Sequence, residues 1–368
     1  MSEVAAEVAE VSPVRFDAAD RAGIKQHLTE HGYACVQRAL SPPELSHAHE
    51  LLWAHLEGTE DATQNMTQRK PEGWRRDEPT TWLEGHGDAL MTSTTHCESM
   101  WYVRSRAGVM GAFHAAYGTQ RDTELVAMYD RMSVNLPTSS GNPETLRVAG
   151  ESTSLGKFGV AQQMHTHAGN FYSDGFTGDE FYGIIPLFDM NRKTGATALV
   201  PGSHLKVGEI EEVRTRKWDT KHQRAEWTEA DRLAFAADLE PFTAQGLSPV
   251  VTNIKAGDMV LFDTRTFHGG CSAEDPSGET GREEGNLFSN NLLRAIYILG
   301  ASPSRLQTPE ILAARRKAYE LDLFWPPPLK HQPFAERILE GEDLSDQFGP
   351  PPDREATNGK YTSTPTTT

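Results

Sequence analysis

The chain has 368 residues, 37% of them hydrophobic and 24% charged, and its 15 Phe, 9 Tyr and 7 Trp supply enough apolar side chain for one sizeable core. Lys and Arg number 35 against 52 Asp and Glu, and the formal charge of −17 disfavours a phosphate-backbone partner, so nucleic acid is not expected. Cys35, Cys97 and Cys271 are scattered, without CxxC spacing, which argues against a disulfide framework or a zinc site.

Residues 1–15 read as a flexible, acidic N-terminus lacking the basic and apolar regions of a secretory signal. No run approaches the roughly 18 apolar residues of a membrane span, so a soluble cytoplasmic chain with no membrane and no evident protein partner is the expectation. Ala18 to His31 carry helix-forming residues, and the following Gly32-Tyr33-Ala34-Cys35-Val36 reads as a helix stop and a short strand. Ser41-Pro42-Pro43-Glu44 starts a second helix that runs to about Glu57, with a capping box and Pro just inside. Residues 58–88 are polar and aperiodic, a loop region, and Met100-Trp101-Tyr102-Val103-Arg104 leads into one helical stretch ending near Tyr117.

Short apolar runs then alternate with turn signals. The expected strands are Ala127–Val134, Gly159–His167, Phe181–Asp189, Ala196–Pro201, Val250–Ile254, Met259–Asp263 and Leu292–Leu299. Such a series predicts an antiparallel sandwich or barrel with helices from both ends of the chain packed outside. Residues 273–285 form an acidic, solvated insertion between two strands, and 324–368 form a Pro-rich, partly disordered tail, which leaves one domain over 16–323.

The chemistry concentrates in His165-Thr166-His167-Ala168-Gly169-Asn170. Alternate residues of a strand share a face, so His165, His167 and Gly169 stand together. A mononuclear Fe(II) oxygenase grips its metal with two histidines and one carboxylate on one side, leaving positions for cosubstrate and O2. Here glycine occupies the carboxylate's place. A further histidine, His268, ends the segment Gly257-Asp258-Met259-Val260-Leu261-Phe262-Asp263-Thr264-Arg265-Thr266-Phe267-His268, and Arg294 sits in the apolar run Leu292–Tyr297. An arginine there is costly to bury unless paired, and a dicarboxylate bound two-pronged by the planar guanidinium is the natural partner.

With Met100–Arg104, the HxD-like strand, Thr194–His204 with its Val-Pro-Gly-Ser-His end, Gly257–His268 and Arg294 in this order, the chain resembles the Fe(II)/2-oxoglutarate-dependent dioxygenases of the phytanoyl-CoA dioxygenase type over roughly Phe16 to Ser304. The resemblance implies a mainly β fold with flanking helices (α+β), a double-stranded β-helix or jelly-roll, cupin-like barrel. It implies His167 and His268 as iron ligands and Arg294 as the clamp on 2-oxoglutarate. Counting back from Pro201 sets the first ligand at His167 and the lost carboxylate at Gly169. Enzymes resembling this family with Gly or Ala at that position are halogenases: the vacancy and the missing negative charge are both filled by chloride, and a substrate radical left by hydrogen abstraction takes halide instead of hydroxyl.

The implied partners are therefore a small-molecule substrate and O2, and the implied cofactors are Fe(II), 2-oxoglutarate and chloride, with Asn170 beside the halide or a water. Two other readings stand. In the first, His165 or Asp174 supplies the third ligand and the enzyme is a hydroxylase. In the second, the fold is a non-catalytic small-molecule binder. Trp101, Tyr102 and Arg104 either line the substrate pocket or belong to the core, and Tyr172 and Tyr182 are further substrate or cosubstrate contacts. His204 reads as a structural turn residue, and Asp263 with Arg265 as a structural ion pair.

Overall fold

The computed structural model describes residues 9–58, 89–90, 95–135, 180–192, 194–206, 242, 244–270, 294–321, 323 and 331–340. Helix α1 (Arg21–His31) begins at Asp20, whose side chain accepts the Gly23 N–H at 3.0 Å. It ends at Gly32, a left-handed residue (φ 77°) whose N–H returns to the Leu28 carbonyl. In α2 (Pro42–Gly58) the Glu44 carboxylate accepts both the Ser41 N–H (2.8 Å) and its hydroxyl (2.7 Å), which is half of the expected capping box.

The single helical stretch expected before Tyr117 is two helices, α3 (Glu98–Arg104) and α4 (Ala107–Tyr117). Arg106 breaks it by adopting an extended backbone as the cap of α4, while its guanidinium folds back to 4.1 Å from the centre of the Tyr102 ring.

Twelve strands occur among the described residues: β1 (Ala9–Val11), β2 (Arg15–Phe16), β3 (Tyr33–Val36), β4 (Ala89–Leu90), β5 (Leu125–Ala127), β6 (Met132–Asn135), β7 (Phe181–Pro186), β8 (Thr197–Leu199), β9 (Val250–Thr252), β10 (Met259–Asp263), β11 (His268–Gly270) and β12 (Arg294–Pro303). Five expected strands are found as β7, β8, β9, β10 and β12. The run Ala127–Val134 is divided between β5 and β6, and β11 was not anticipated. The expected strand Gly159–His167 lies outside the described residues.

The strands form two sheets. The larger has the order β2-β3-β10-β7-β12-β6-β4, with β5 also paired to β12, and the smaller has the order β1-β9-β8-β11. All pairings are antiparallel except β1 with β9 and β2 with β3. The side-chain period of two gives the large sheet two buried faces. Ala34, Phe181, Ile185, Leu261, Tyr297 and Leu299 pack outward against Ile24, Leu52, Val103 and Phe113 of the helices. Tyr33, Tyr182, Ile184, Val260, Phe262 and Ile296 pack inward against Ala198, Leu199 and Val251 of the small sheet. This is a jelly-roll type fold with flanking helices, its sheets facing each other without closing into one continuous barrel.

After β12, α5 (Pro309–Glu320) starts at Thr308, whose hydroxyl accepts the Ile311 N–H at 3.2 Å, with Pro309 just inside the helix. Helix α6 (His331–Glu340) gives structure to part of the stretch expected as a tail, because Ala335 and Ile338 find an apolar partner in Ile311, Ala314 and Ala318. No helix among the described residues is long and apolar enough to cross a membrane.

One buried carboxylate ties the N-terminal strands to β10. Asp258 accepts from Arg15 Nε (2.7 Å), Arg15 Nη2 (2.8 Å) and the Arg38 N–H (2.9 Å), and Arg38 is held in a left-handed conformation (φ 50°). Arg15 is partly solvated and screened, so most of the stabilisation comes through Arg38. Asp258→Ala should lower stability by about 2 kcal/mol, read as a drop in the urea midpoint at unchanged m. An unchanged midpoint would remove this anchor from the account.

Candidate active site

The turn from β10 into β11 is held from three directions. The Gly32 carbonyl accepts the Asp263 N–H (2.8 Å) and the Thr266 hydroxyl (2.9 Å). Ser203 accepts the Phe267 N–H at 2.8 Å, and the Val200 N–H reaches the Phe267 carbonyl at 2.9 Å. Within the turn, Asp263 pairs with Arg265 at two points, 2.8 and 2.5 Å. The Pro201-Gly202-Ser203-His204 motif is thus a brace for the strand that follows. His204 completes it by donating from Nε2 to the Thr29 carbonyl at 3.1 Å, and burial pushes its pKa down, which keeps it neutral.

His268 opens β11 on this brace. It is buried, and its Nδ1 lies 2.8 Å from the Thr266 carbonyl. A carbonyl only accepts, so Nδ1 carries the proton and Nε2 bears the lone pair, the tautomer that a metal ligand requires. The imidazole stands 4.5 Å from the Phe262 ring, and Phe262 in turn stacks at 6.3 Å on Tyr182, so His268 meets the inner face of the large sheet. Arg294 opens β12 on that same inner face, in step with Ile296, and is buried opposite Asn135 of β6. One histidine in the ligating tautomer and one inward arginine on the facing sheet fit an iron ligand and a carboxylate clamp.

Of the other expected site residues, Tyr182 lies on the inner face, whereas Trp101, Tyr102 and Arg104 lie on α3, in the helical layer beyond the outer face. Trp101 packs among His96, Tyr129 and Tyr319 at 5.8–6.0 Å. Tyr102 sits edge-on to His47 at 4.7 Å. Arg104 donates to the Thr95 carbonyl (2.7 Å) and the Asp130 carbonyl (2.6 Å), with its pKa lowered to about 10 by burial. His165, His167, Gly169, Asn170, Tyr172 and Asp174 lie outside the described residues.

The inner face also carries charge that the sequence reading passed over. β5 pairs Ala127 with Ala301, and β6 pairs Met132 with Tyr297, so four residues, Met128 to Arg131, stand opposite three, Ile298 to Gly300. This is a one-residue bulge, and it switches faces: Met128 packs in the inner cluster and Met132 in the outer. Asp130 falls within it; the place over Gly300 is filled by the Met128 methyl, with Asp130 Oδ2 beside it, 2.9 Å from where a side-chain carbon would stand. Burial pushes the Asp130 pKa up to about 7 against the opposing pull of Arg104 and Arg131. Tyr182, directly across from Gly300, is pushed well above its ordinary value by burial and then by the charges of Asp130 and Glu180. The signal available in the sequence was Asp130-Arg131 interrupting an otherwise apolar strand.

On this jelly-roll type fold, two facing sheets carry an inward histidine at the start of β11 and an inward arginine at the start of β12. Residues 154–272 match the model of the phytanoyl-CoA dioxygenase (PhyH) family, a span containing His167, Gly169 and His268. No curated protein matches the chain. Similar solved structures include the non-heme alpha ketoglutarate dependent epimerase SnoN from nogalamycin biosynthesis, at 14% identity over 78% of this chain and 84% of that one, TM-score 0.42. The carbocyclase SnoK from nogalamycin biosynthesis shares 15% identity over 79% of this chain and 88% of its own, TM-score 0.42. AviO1 from Streptomyces viridochromogenes Tue57 shares 16% identity over 79% and 97%, TM-score 0.39.

If Arg294 is the carboxylate clamp that its motif position implies, its loss should be visible before any turnover. Arg294→Ala should weaken 2-oxoglutarate binding to the anaerobic Fe(II) protein about 30-fold, the ~2 kcal/mol of a charge-assisted hydrogen-bond pair, measured by titrating the charge-transfer band. An unchanged affinity would take Arg294 out of cosubstrate binding.

Asp130 makes a separate prediction about pH. An aspartate whose folded pKa exceeds its ordinary 3.8 and reaches about 7 costs stability progressively as pH climbs between those values. Asp130→Asn removes that cost, so in thermal melts its advantage over the parent should grow from about pH 4 to about pH 7 and level off above. A pH-independent difference would contradict the raised value.

Proposed function

We propose that the chain is a halogenase, most simply a chlorinase, acting on an unactivated aliphatic C–H bond of a small metabolite. The observation that carries this reading is glycine at position 169, where the His-x-Asp motif places its carboxylate, in a chain that keeps both histidines and the arginine. When bound, Fe(II) with 2-oxoglutarate and O2 supplies the oxidising power to remove a hydrogen atom from carbon. His167 and His268 hold the metal, the latter oriented by the Thr266 carbonyl, and Arg294 fixes the far carboxylate of 2-oxoglutarate.

Gly169 has no side chain to contribute, so one coordination position and one negative charge are left for an anion. Chloride satisfies both. The Asn170 amide offers N–H donors beside it. The overall conversion balances as substrate C–H, chloride, a proton, O2 and 2-oxoglutarate giving C–Cl, succinate, CO2 and water.

The test is spectroscopic and needs no substrate. Adding chloride to the anaerobic Fe(II)/2-oxoglutarate protein should shift the metal-to-ligand charge-transfer band, and Gly169→Asp should abolish the shift. A parent band indifferent to chloride would sink the halide reading in favour of a hydroxylase with His165 or Asp174 as third ligand. A chain that binds no iron would be a small-molecule binder on this fold.

A further inference from the structure

Helix α1 ends in His27-Leu28-Thr29-Glu30-His31. Residues four apart are neighbours on one face of a helix, and His27 and His31 meet there with their ring centres 4.4 Å apart. Two histidines at this spacing are an arrangement with which a helix holds zinc. His27 is half-buried, its ring held by Phe16 at 5.3 Å and edge-on by Tyr33 at 5.3 Å, so its direction is set. The His31 side chain is 47% exposed.

Each imidazole has one nitrogen facing an acceptor. His27 Nδ1 lies 2.6 Å from the Tyr33 carbonyl, and because a carbonyl only accepts, Nδ1 carries the proton and Nε2 keeps the lone pair. His31 Nε2 lies 3.8 Å from Glu30 Oε2, which draws the proton to that nitrogen and leaves the lone pair on Nδ1. Gln26 Nε2 donates to the other Glu30 oxygen at 2.9 Å and steadies the carboxylate. A carbonyl or carboxylate on the nitrogen that does not ligate is the outer partner of a metal-bound histidine, fixing the ring and raising its basicity. Burial lowers the His27 pKa and keeps the ring neutral, the form that ligates. The C-terminal end of a helix also favours a cation.

We propose that His27 and His31 form a binding site for a divalent transition-metal ion of the kind that prefers imidazole, Zn(II), Ni(II) or Cu(II). Zinc–imidazole bonds of about 2.0–2.1 Å place two ligating nitrogens roughly 3–4 Å apart on one ion, and the exposed His31 ring can turn to meet that spacing while His27 stays fixed. No group of three or more His, Cys, Asp or Glu among the described residues could hold a metal ion, so the pair is an open site whose other positions belong to water. The ion would join the last two turns of α1. There the His31 carbonyl accepts the Gly202 N–H at 2.9 Å, and the next carbonyl, that of Gly32, holds the turn before His268. The site uses no residue assigned to iron or 2-oxoglutarate, and the inference is independent of the halogenase reading.

The test is calorimetric titration of Zn(II) into the metal-free full-length protein, paired with thermal melts. The residues assigned to iron can also take zinc, so the parent is compared with His31→Ala, which removes an exposed side chain and leaves the core intact. The parent should bind one more equivalent of zinc than His31→Ala, and zinc should raise its melting temperature further. His27→Gln should lose the same equivalent. Ni(II) should occupy the site, Cu(II) should bind it more tightly than Zn(II), and Mg(II) should not compete. Equal zinc stoichiometry in the parent and His31→Ala overturns the proposal, as does an extra equivalent that Mg(II) displaces.

Discussion

The backbone carbonyl of Gly32 is the point on which the arrangement of the site depends. It ends α1, precedes β3, and accepts two hydrogen bonds from the turn that delivers His268. Two side chains crowd the place where a side-chain carbon would go, Thr266 Oγ1 at 2.4 Å and His204 Nδ1 at 2.5 Å, and the backbone there is left-handed (φ 77°). Both facts demand glycine. The helix stop, the Pro-Gly-Ser-His brace and the turn before His268 are therefore one packed unit, and the hydrogen bond that selects the His268 tautomer is made within it.

The large sheet separates two kinds of chemistry by the alternation of its side chains. Its outer face is apolar and answers to four helices, and its inner face becomes polar toward the end where β7 starts and β10 stops. Buried charge is costly unless compensated, and here it is concentrated on one face and at one end of it. Arg104 illustrates the division: its guanidinium is spent on two backbone carbonyls at the helical layer, one of them belonging to Asp130, whose carboxylate lies on the other side of the strand.

Much of this was legible in the sequence because the signals were local. Gly32 stops α1, Ser41-Pro42-Pro43-Glu44 starts α2, and apolar runs mark β7, β10 and β12, so the fold class followed. His268 and Arg294 were found by motif, and both lie on the inward side. What escaped was set by tertiary register. β11 is three residues long, His-Gly-Gly, with no β-propensity of its own, and exists because β8 offers it a partner. Trp101 and Tyr102 had the residue types of a pocket lining, but α3 is turned so that both meet other aromatics in the helical layer. Asp130 and Tyr182 are far apart in sequence, and only the ladder brings them together.

The bulge between β5 and β6 has a bearing on how such a site changes over time. Substitution at Asp130 alters one charge. Deleting a single residue between Met128 and Arg131 would instead leave three residues opposite three, restoring uniform pairing along β12 with the partners of β5 and β6 unchanged, and the side chains of the bulge itself would lose their present directions. A one-codon length change here is a larger step than any point mutation, and comparison of chain length between Ala127 and Met132 offers a simple marker for relatives whose inner face is arranged differently.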